Sequence, residues 1–425
     1  MSNEWILTIG STRQSGEFQE ATKNDYPWRI KHVVEELKPW TSKSLDEIMT
    51  ECIDIIENME FGPIAMINFG RASVPYGIDT IALCFEKLKE KYAEKLKETK
   101  IIGPTAEMAQ IFSDKWLIFK SLSNLNLPLP RTLKVDKKSL NKVKEEILEG
   151  KISLPAIIKV TDLTGGSGME YLDSINEIDK TVDILSQLDR DLIITEFVNG
   201  DEISFDVLRL GNECLVFPPG VKTKTDTNLT HADHKIKVNG LVKQMDSLEK
   251  QVKQISEYYD LQGFFSIEGV VTNNNPIEWK ILEGATRVTN NYQMQNHSIG
   301  FDSFLAISRY LRGLSWMPDE NNFMRLSLSI PIYVHRQNES LKLLQDQSWV
   351  LQVKIENLSE MPLSRDSRSR LTIKMEADRD LDERLSYIEK ATGDSELIKR
   401  VNNELRRQLE YYICESQNYE NKVWN

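Results

Sequence analysis

A lysine followed by a glycine-rich loop is the segment whose residue types point most directly to chemistry. The apolar run Pro155 to Ile158 predicts a short buried strand, which delivers Lys159. Gly165-Gly166-Ser167-Gly168 begins six residues later. Glycine accepts positive φ without steric cost, so the N–H groups of such a loop can converge on phosphate oxygens beside a fixed cation. We expect a phosphate site here, although a tight hairpin with a solvated lysine explains this segment alone equally well.

The glycine spacing differs from that of two common nucleotide motifs. No Gly-Lys-Ser/Thr follows the glycines, as a P-loop requires, and no Gly-x-Gly-x-x-Gly opens a helix. The sequence offers no Ser/His/Asp or Cys/His arrangement for nucleophilic catalysis. His231 and His234 lie in a polar segment without an evident third metal ligand. We expect ordinary loop histidines, with a metal pair or a contact to phosphate or substrate as alternatives.

Composition and charge restrict the class of protein. The 425 residues are 40% apolar and 28% charged, which suits a soluble globular protein of two or three domains. The formal charge of −12 argues against binding to nucleic acid or to an anionic membrane. Four scattered cysteines predict reduced thiols and a cytoplasmic location. We expect no signal peptide and no membrane span, since no apolar run approaches the ~20 residues required.

The first hundred residues alternate strands and helices. Trp5 to Gly10 and Pro63 to Asn68 predict buried strands, whereas Ser44 to Met59 and Asp79 to Lys97 predict helices with one apolar face. This order is typical of an open α/β layer, so we expect an N-terminal α/β domain over residues 1–104.

Further elements surround the lysine and its glycine loop. Helices are expected over residues 106–125, 133–153, 176–188 and 247–259. A strand is expected over 191–198, and alternating polar and apolar residues predict a half-buried strand over 202–208. Residues 219–240 predict a long polar loop. Gly263 to Val271 and Ile277 to Glu283 predict the two strands of a hairpin.

The composition changes again near the C-terminus, where we expect an α+β domain over residues 321–425. A helical segment over 302–314 precedes it. Its predicted elements are strands over residues 327–334, 349–355 and 370–375, and a helix from about 395 to the chain end.

Several of these features follow one another in an order that resembles the ATP-grasp superfamily. They are Lys115, Lys159, the loop Gly165 to Gly168, Glu196-Phe197-Val198, Glu202, Glu268, Glu283 and Arg287. The resemblance extends over about residues 101–313. It implies a mixed α+β and α/β fold with an ATP-grasp domain over 105–320, whose lid would span about 132–195.

The resemblance implies how ATP would be bound. Lys115 and Lys159 would bind the α- and β-phosphates, and the loop 165–168 would close over the triphosphate. The backbone of Glu196-Phe197-Val198 would read adenine, and Glu202 would take the ribose hydroxyls. Without the resemblance, Lys115 is an ordinary surface lysine and Glu196 caps a strand edge.

The resemblance also implies a metal and a catalytic group. Glu268 and Glu283 would hold Mg²⁺, which prefers carboxylate oxygens and phosphates. Arg287 would stabilise the transferred phosphoryl group together with Lys159, since this transfer needs mainly positioning and charge neutralisation. The sequence departs from the family pattern at Ala285, where a metal-binding asparagine is expected. Asn290, Asn291 or a water molecule would have to act as the metal ligand instead.

Neighbouring charged residues have structural explanations. Lys222 and Lys224 are expected to be mostly solvated, with one of them able to reach the γ-phosphate. Asp206 is expected to be solvated on the face of its strand. Glu283 and Arg287 can alternatively form a structural ion pair.

The activity implied by the resemblance is ATP-dependent ligation of a carboxylate to an amine. ATP would phosphorylate the carboxylate, and the amine would then attack the acyl phosphate. We expect small-molecule substrates, amino acids foremost, and a homodimer as the oligomeric state of similar ligases. Two alternatives are a carboxylase-type ligase and an ATP-binding regulatory protein with an impaired metal site, for which Ala285 argues.

A basic segment near the C-terminus is similar to the closing domain of amino-acid ligases. It runs from Ser364 to Arg370. Arg365, Arg368 or Arg370 could bind a substrate carboxylate by bidentate pairing. A basic turn on the surface is an equally good explanation.

Overall fold

A computed structural model of the protein describes most of the chain. The described residues are 4–34, 36–38, 41–70, 77–136, 142–162, 168–187, 189–224, 235–239, 245–274, 277–289, 291–318, 325–331, 344–354, 370–375, 377–393, 395–396 and 398–403. Within these ranges the chain forms three sheets of four or more strands and one short ladder. The structure confirms the mixed helix-and-sheet class.

The N-terminal residues form a parallel sheet. The strands here are β1 (Trp5–Gly10), β2 (Arg29–Val34), β3 (Glu36–Lys38), β4 (Thr41–Ser42), β5 (Ala65–Phe69) and β6 (Lys100–Ile102). The sheet order is β2-β1-β5-β6, and β3 pairs with β4. Every residue of β1 is buried, which explains its continuous apolar run.

Three helices flank this sheet. They are α1 (Thr12–Thr22), α2 (Leu45–Glu57) and α3 (Ile78–Lys91). Helix α2 begins close to the predicted start, and a capping box between Ser44 and Glu47 stabilises its first turn. The helix predicted over 79–97 ends already at Lys91. Helix α1 was not predicted, because Phe18 is its one large buried apolar residue and a single residue gives no helical period.

Two short helices lead into the next lobe. They are α4 (Ala106–Ser113) and α5 (Lys115–Ser123), so the single helix predicted over 106–125 is wrong. Asp114 has an extended backbone and caps α5, accepting hydrogen bonds from the N–H groups of Trp116 at 2.8 Å and Leu117 at 2.9 Å. This N-cap interrupts the helix directly before Lys115.

The second sheet is antiparallel and has the order β7-β10-β8-β9. It consists of β7 (Thr132–Val135), β8 (Ala156–Val160), β9 (Met169–Leu172) and β10 (Leu192–Glu196), with α6 (Lys142–Leu148) and α7 (Ile178–Ser186) packed beside it. The predicted surface helix over 133–153 is wrong, because β7 occupies its beginning and only α6 is helical. The Lys/Glu-rich composition concealed Val135, which packs into the core of this lobe.

The third sheet contains nine strands. They are β11 (Asp201–Leu210), β12 (Glu213–Val216), β13 (Gly220–Lys224), β14 (Lys235–Asn239), β15 (Gly263–Asn274), β16 (Ile277–Ala285), β17 (Leu326–Pro331), β18 (Val350–Lys354) and β19 (Arg370–Met375). The order is β16-β15-β11-β13-β14-β17-β19-β18, and β12 pairs with β11. The helices of this part are α8 (Asp246–Tyr258), α9 (Tyr292–Ser298), α10 (Ser303–Leu311) and α11 (Ala377–Thr392).

Two expectations for this sheet are wrong. The segment 219–240 is not a loop throughout, because β13 and β14 pair at its two ends. His231 and His234 lie outside the described residues. Strand β11 is buried on both faces from Ile203 onward rather than half-buried, since its polar side chains lie within the protein.

The C-terminal strands extend the third sheet. β17 pairs with β14, and β19 lies between β17 and β18. The predicted boundary near residue 321 stays a prediction, and so do the other domain limits. Residues 395–396 and 398–403 are helical, and the rest of the segment predicted to be helical from about 395 lies outside the described residues.

Candidate functional site

Two lysines meet where the second sheet approaches α5. Lys115 is the first residue of α5; its N–H donates to the carbonyl of Thr161 at 2.8 Å, and its Nζ donates to that of Val160 at 3.3 Å. Lys159 lies in β8 and is only 7% exposed. Burial lowers the pKa of Lys115; Glu283 opposes this shift, and the positive charge of Lys159 adds to it. The two lysines and Glu283 are therefore close enough to interact electrostatically.

One face of the third sheet carries a row of charged and small polar residues. Residues directly opposite each other on neighbouring antiparallel strands share a face. Ser204 of β11 pairs with Glu268 of β15, which pairs with Glu283 of β16. Two positions away on β11, Glu202 pairs with Lys222 of β13. We call this surface the polar face; the opposite face packs into the main apolar core.

Arg287 follows β16 and lies among the carboxylates of the polar face. Burial lowers the pKa of its guanidinium, and Glu268, Asp206 and Glu283 act in the opposite direction. Its Nε is buried without a hydrogen-bond partner among the residues that the structure describes. A guanidinium placed in this way can attract and orient an anionic group.

Asp206 and Lys222 belong to the site, although the sequence predicted that Asp206 would be solvated and Lys222 mostly so. Asp206 is buried, and its Oδ2 accepts a hydrogen bond from Nε2 of Gln295 in α9. Lys222 is also buried, and its ammonium contacts Oε2 of Glu268. Burial lowers the pKa of Lys222, but the carboxylates of Glu268 and Glu202 outweigh this effect and raise it overall. Alternation of polar residues in β11 was the one sequence signal for this buried face.

The predicted hinge lies at the end of β10. The side chain of Glu196 accepts a hydrogen bond from the N–H of Arg131 at 2.9 Å. The N–H of Phe197 donates to the carbonyl of Pro155 at 3.0 Å, and Val198 is half-buried beside it. The carbonyl of Pro128 accepts a hydrogen bond from the N–H of Ile281 in β16 at 2.8 Å. The chain from Pro128 to Arg131 therefore links the hinge to the hairpin that carries Glu268 and Glu283.

The glycine loop is described only at its last residue. Gly168 has a φ of +66°, and its carbonyl accepts a hydrogen bond from the N–H of Val160 at 2.9 Å, next to the pairing of Lys159 in β8 with Met169 in β9. Gly165, Gly166 and Ser167 lie outside the described residues. The contact they were predicted to make with phosphates stays a prediction.

The carboxylates provide a test of whether the residues fit a magnesium ion. Glu268 and Glu283 lie opposite each other on one face, so they can offer oxygens to one Mg²⁺ whose remaining ligands are phosphate and water oxygens. Ala285 pairs with Ser266 two residues along the strands and offers no ligand. In the described part of the chain, no three Asp, Glu, His or Cys side chains are grouped to hold a metal by themselves. The donor set fits one ion better than two.

Two sets of predicted residues are only partly described. They are the asparagines that would replace the metal ligand missing at Ala285 and the arginines that would bind a substrate carboxylate. Asn291 is buried just before α9, and residue 290 lies outside the described ranges. Arg370 is buried and donates from Nε to Oγ of Ser329 at 2.9 Å and from Nη2 to the Ser329 carbonyl at 2.9 Å, so the surface-turn explanation is wrong for it. Arg365 and Arg368 lie outside the described residues.

Comparison with known proteins shows which proteins this chain is similar to. A family model described as the D-ala D-ala ligase C-terminus matches residues 122–278. The D-alanine–D-alanine ligase of Coprothermobacter proteolyticus is 24% identical over 196 residues, which is 44% of this chain and 64% of that protein. The chain spans less than two thirds of the curated relatives it matches, between 18% and 64% of their length.

Solved structures with a similar fold cover nearly the whole chain. The L-amino acid ligase of Bacillus licheniformis has a TM-score of 0.69 at 11% identity and covers 92% of this chain and 98% of its own. The N5-carboxyaminoimidazole synthetase of Staphylococcus aureus, complexed with ADP, has a TM-score of 0.66 at 12% identity over 90% and 97%.

No helix among the described residues is both long and apolar enough to cross a bilayer. Residues 122–278 thus resemble the C-terminus of D-ala D-ala ligases, and the chain has the fold of ATP-grasp ligases.

Proposed function

We propose that the protein is an ATP-dependent ligase that joins a small-molecule carboxylate to an amine, with amino acids as the expected substrate class. The observation that carries this proposal is that Arg287 interacts with the paired carboxylates Glu268 and Glu283, while Lys115, with Lys159 beside it, interacts with Glu283. Cations beside paired carboxylates suit a nucleotide triphosphate with a divalent ion. The similarity to ligases of known structure supports the same reaction class.

Each group has a proposed task. Lys115 and Lys159 bind the α- and β-phosphates, and the segment Glu196 to Val198 binds adenine beside Glu202, which takes the ribose. Glu268 and Glu283 hold Mg²⁺, which neutralises charge on the phosphates when bound. Arg287 lies where it can stabilise negative charge on the transferred phosphoryl group.

The proposed reaction has two transfers. A substrate carboxylate oxygen attacks the γ-phosphorus of ATP, and ADP leaves. The amine nitrogen then attacks the carbonyl carbon of the acyl phosphate, inorganic phosphate leaves, and the amine loses a proton. No protein nucleophile is needed. The lobe containing β7 to β10 acts as a lid that keeps water from the acyl phosphate.

A carboxylase-type ligase is the second candidate, favoured by the similarity to N5-carboxyaminoimidazole synthetase. In that case bicarbonate is the phosphorylated acid. Only an amine acceptor and bicarbonate together would then support turnover.

The test is ADP release with Mg·ATP against a panel of amino acids and small amines, with and without bicarbonate. We expect turnover that depends on an amine and disappears in Glu283→Ala. A matched control is Glu278→Ala, which removes a glutamate from the same strand at an exposed position. Bicarbonate-dependent turnover would select the carboxylase. Failure of the wild-type chain to bind ATP would refute both.

A further inference from the structure

Lys222 is a buried cation to which the proposed roles assign no task. It lies in β13 opposite Glu202 of β11, yet its ammonium contacts Glu268 of β15, on the far side of β11. The side chain must therefore extend across β11 at Ser204, the residue opposite Glu268. Two strand spacings separate β13 from β15, which is about 10 Å.

The residues beneath this path are small. Ser204 is 1% exposed, and its Oγ has no hydrogen-bond partner among the described residues. The residue opposite Ser204 on β13 is Gly220, which has no side chain. Larger residues at these two positions would fill the space through which Lys222 reaches Glu268. The local sequence of both strands thus accommodates an ammonium over the middle of the polar face.

We propose that Lys222 is a built-in cation of the nucleotide site, which holds the Glu268 carboxylate in place and supplies positive charge at the phosphates that a second divalent ion would otherwise supply. This inference rests on the proposed function, since it concerns the same nucleotide site. It assigns to the protein a site for one metal ion rather than two.

The charges around the site support this assignment. Among the described residues, the carboxylates Glu202, Asp206, Glu268 and Glu283 interact electrostatically with cations of this site, which are Lys115, Lys222 and Arg287, with Lys159 beside Lys115. Asp114 and Asp162 also act on Lys115. The position that would supply a third metal ligand is Ala285, whereas the ammonium of Lys222 contacts one oxygen of Glu268.

A purely structural ion pair is the competing explanation. Removing one partner of such a pair would destabilise the fold but would not affect nucleotide binding in particular. The two explanations differ in what happens when no divalent ion is present. A built-in cation supports nucleotide binding by itself. Its removal should therefore weaken nucleotide affinity most when no metal ion is present.

The experiment measures ADP binding to the full chain by calorimetry, once in EDTA and once with Mg²⁺. We expect Lys222→Met to weaken ADP binding in EDTA by about tenfold or more, the loss typical of a contact to a charged group, and by less with Mg²⁺. Lys222→Arg should retain binding. Lys250→Met, which removes an exposed lysine from α8, is the matched control for net charge and should behave as the wild type.

Two further measurements keep the inference testable. Lys222→Gln keeps a polar side chain at this position but carries no charge, so it should show the same loss, and it replaces Lys222→Met if that variant does not fold. The number of Mn²⁺ ions bound per chain with ADP, counted by electron paramagnetic resonance, should be one in the wild type. Two ions would overturn the inference.

The outcomes separate this inference from the proposed function. If the wild type binds ADP and the uncharged variants bind it equally well in EDTA, Lys222 is only structural and the ligase proposal stands. If the wild type binds no adenine nucleotide under either condition, the proposed function fails and the inference fails with it.

Discussion

Asp114→Ala should affect both stability and nucleotide binding, because this residue caps the helix that begins with Lys115. The Asp114 carboxylate accepts bonds from two backbone N–H groups, at 2.8 and 2.9 Å. Replacing an N-cap aspartate by alanine costs about 1 kcal/mol, and up to about 2 kcal/mol in favourable cases. If the first turn of α5 frays, nucleotide binding must order Lys115 again. A cost of about 1 kcal/mol corresponds to roughly fivefold weaker affinity.

Asp302→Ala is the matched control. Asp302 caps α10 with bonds of 2.9 and 3.0 Å to the N–H groups of Phe304 and Leu305, and α10 carries none of the proposed site residues. Urea unfolding should show similar stability losses for both variants. Calorimetry with ADP should show weaker binding for Asp114→Ala only. Equal affinities in the two variants would refute the idea that this cap positions Lys115, and an unchanged unfolding free energy would refute the cap itself.

Three further predictions concern the site and its support. Burial holds the pKa of Lys115 below its ordinary value of 10.5, so ADP affinity should fall as alkaline pH removes its charge. The ADP affinity of Lys115→Arg should not change over the same pH range, and an equal decline in both proteins would contradict the assignment. Gly200→Ala should lower the unfolding free energy by about 1–3 kcal/mol, because φ is +147° and a Cβ would lie 1.9 Å from the Val271 carbonyl oxygen. Gly313→Ala, at a φ of +72° with open space, should cost less in the same urea titration, and the reverse order would refute the steric argument. Phe205→Ala should cost about 3–5 kcal/mol, since the ring is fully buried; a loss below about 1 kcal/mol in chemical denaturation would mean that the core behind the polar face is not tightly packed.

Hydrophobic patterning predicted many of the elements that carry the site. The run at Trp5 is a strand with the predicted bounds, and the strand at Ala156 carries Lys159. These predictions hold because a buried strand must be apolar over its whole length. Apolar patterning does not reveal α1, because almost all of its residues are polar. It also predicts a helix where β7 lies, because lysine and glutamate are frequent around that strand.

The polar face shows where local patterning no longer suffices. Polar residues alternating along β11 predicted solvent on one side, but that side is covered, and Asp206 is buried against Gln295 of α9. A polar residue can face water or a buried site with the same sequence period. Which of the two occurs depends on what packs above the strand.

The sequence by itself determined the order of the lysines, carboxylates and arginine, and with it the resemblance to the ATP-grasp superfamily. The tertiary structure decided which of them face one another. Lys222 and Glu268 are 46 positions apart in sequence and belong to strands separated by β11, so their contact depends on strand order and register. A shift of one residue in either strand would turn its side chain to the opposite face of the sheet. The pairing of charges is therefore a property of the assembled sheet, which no local pattern encodes.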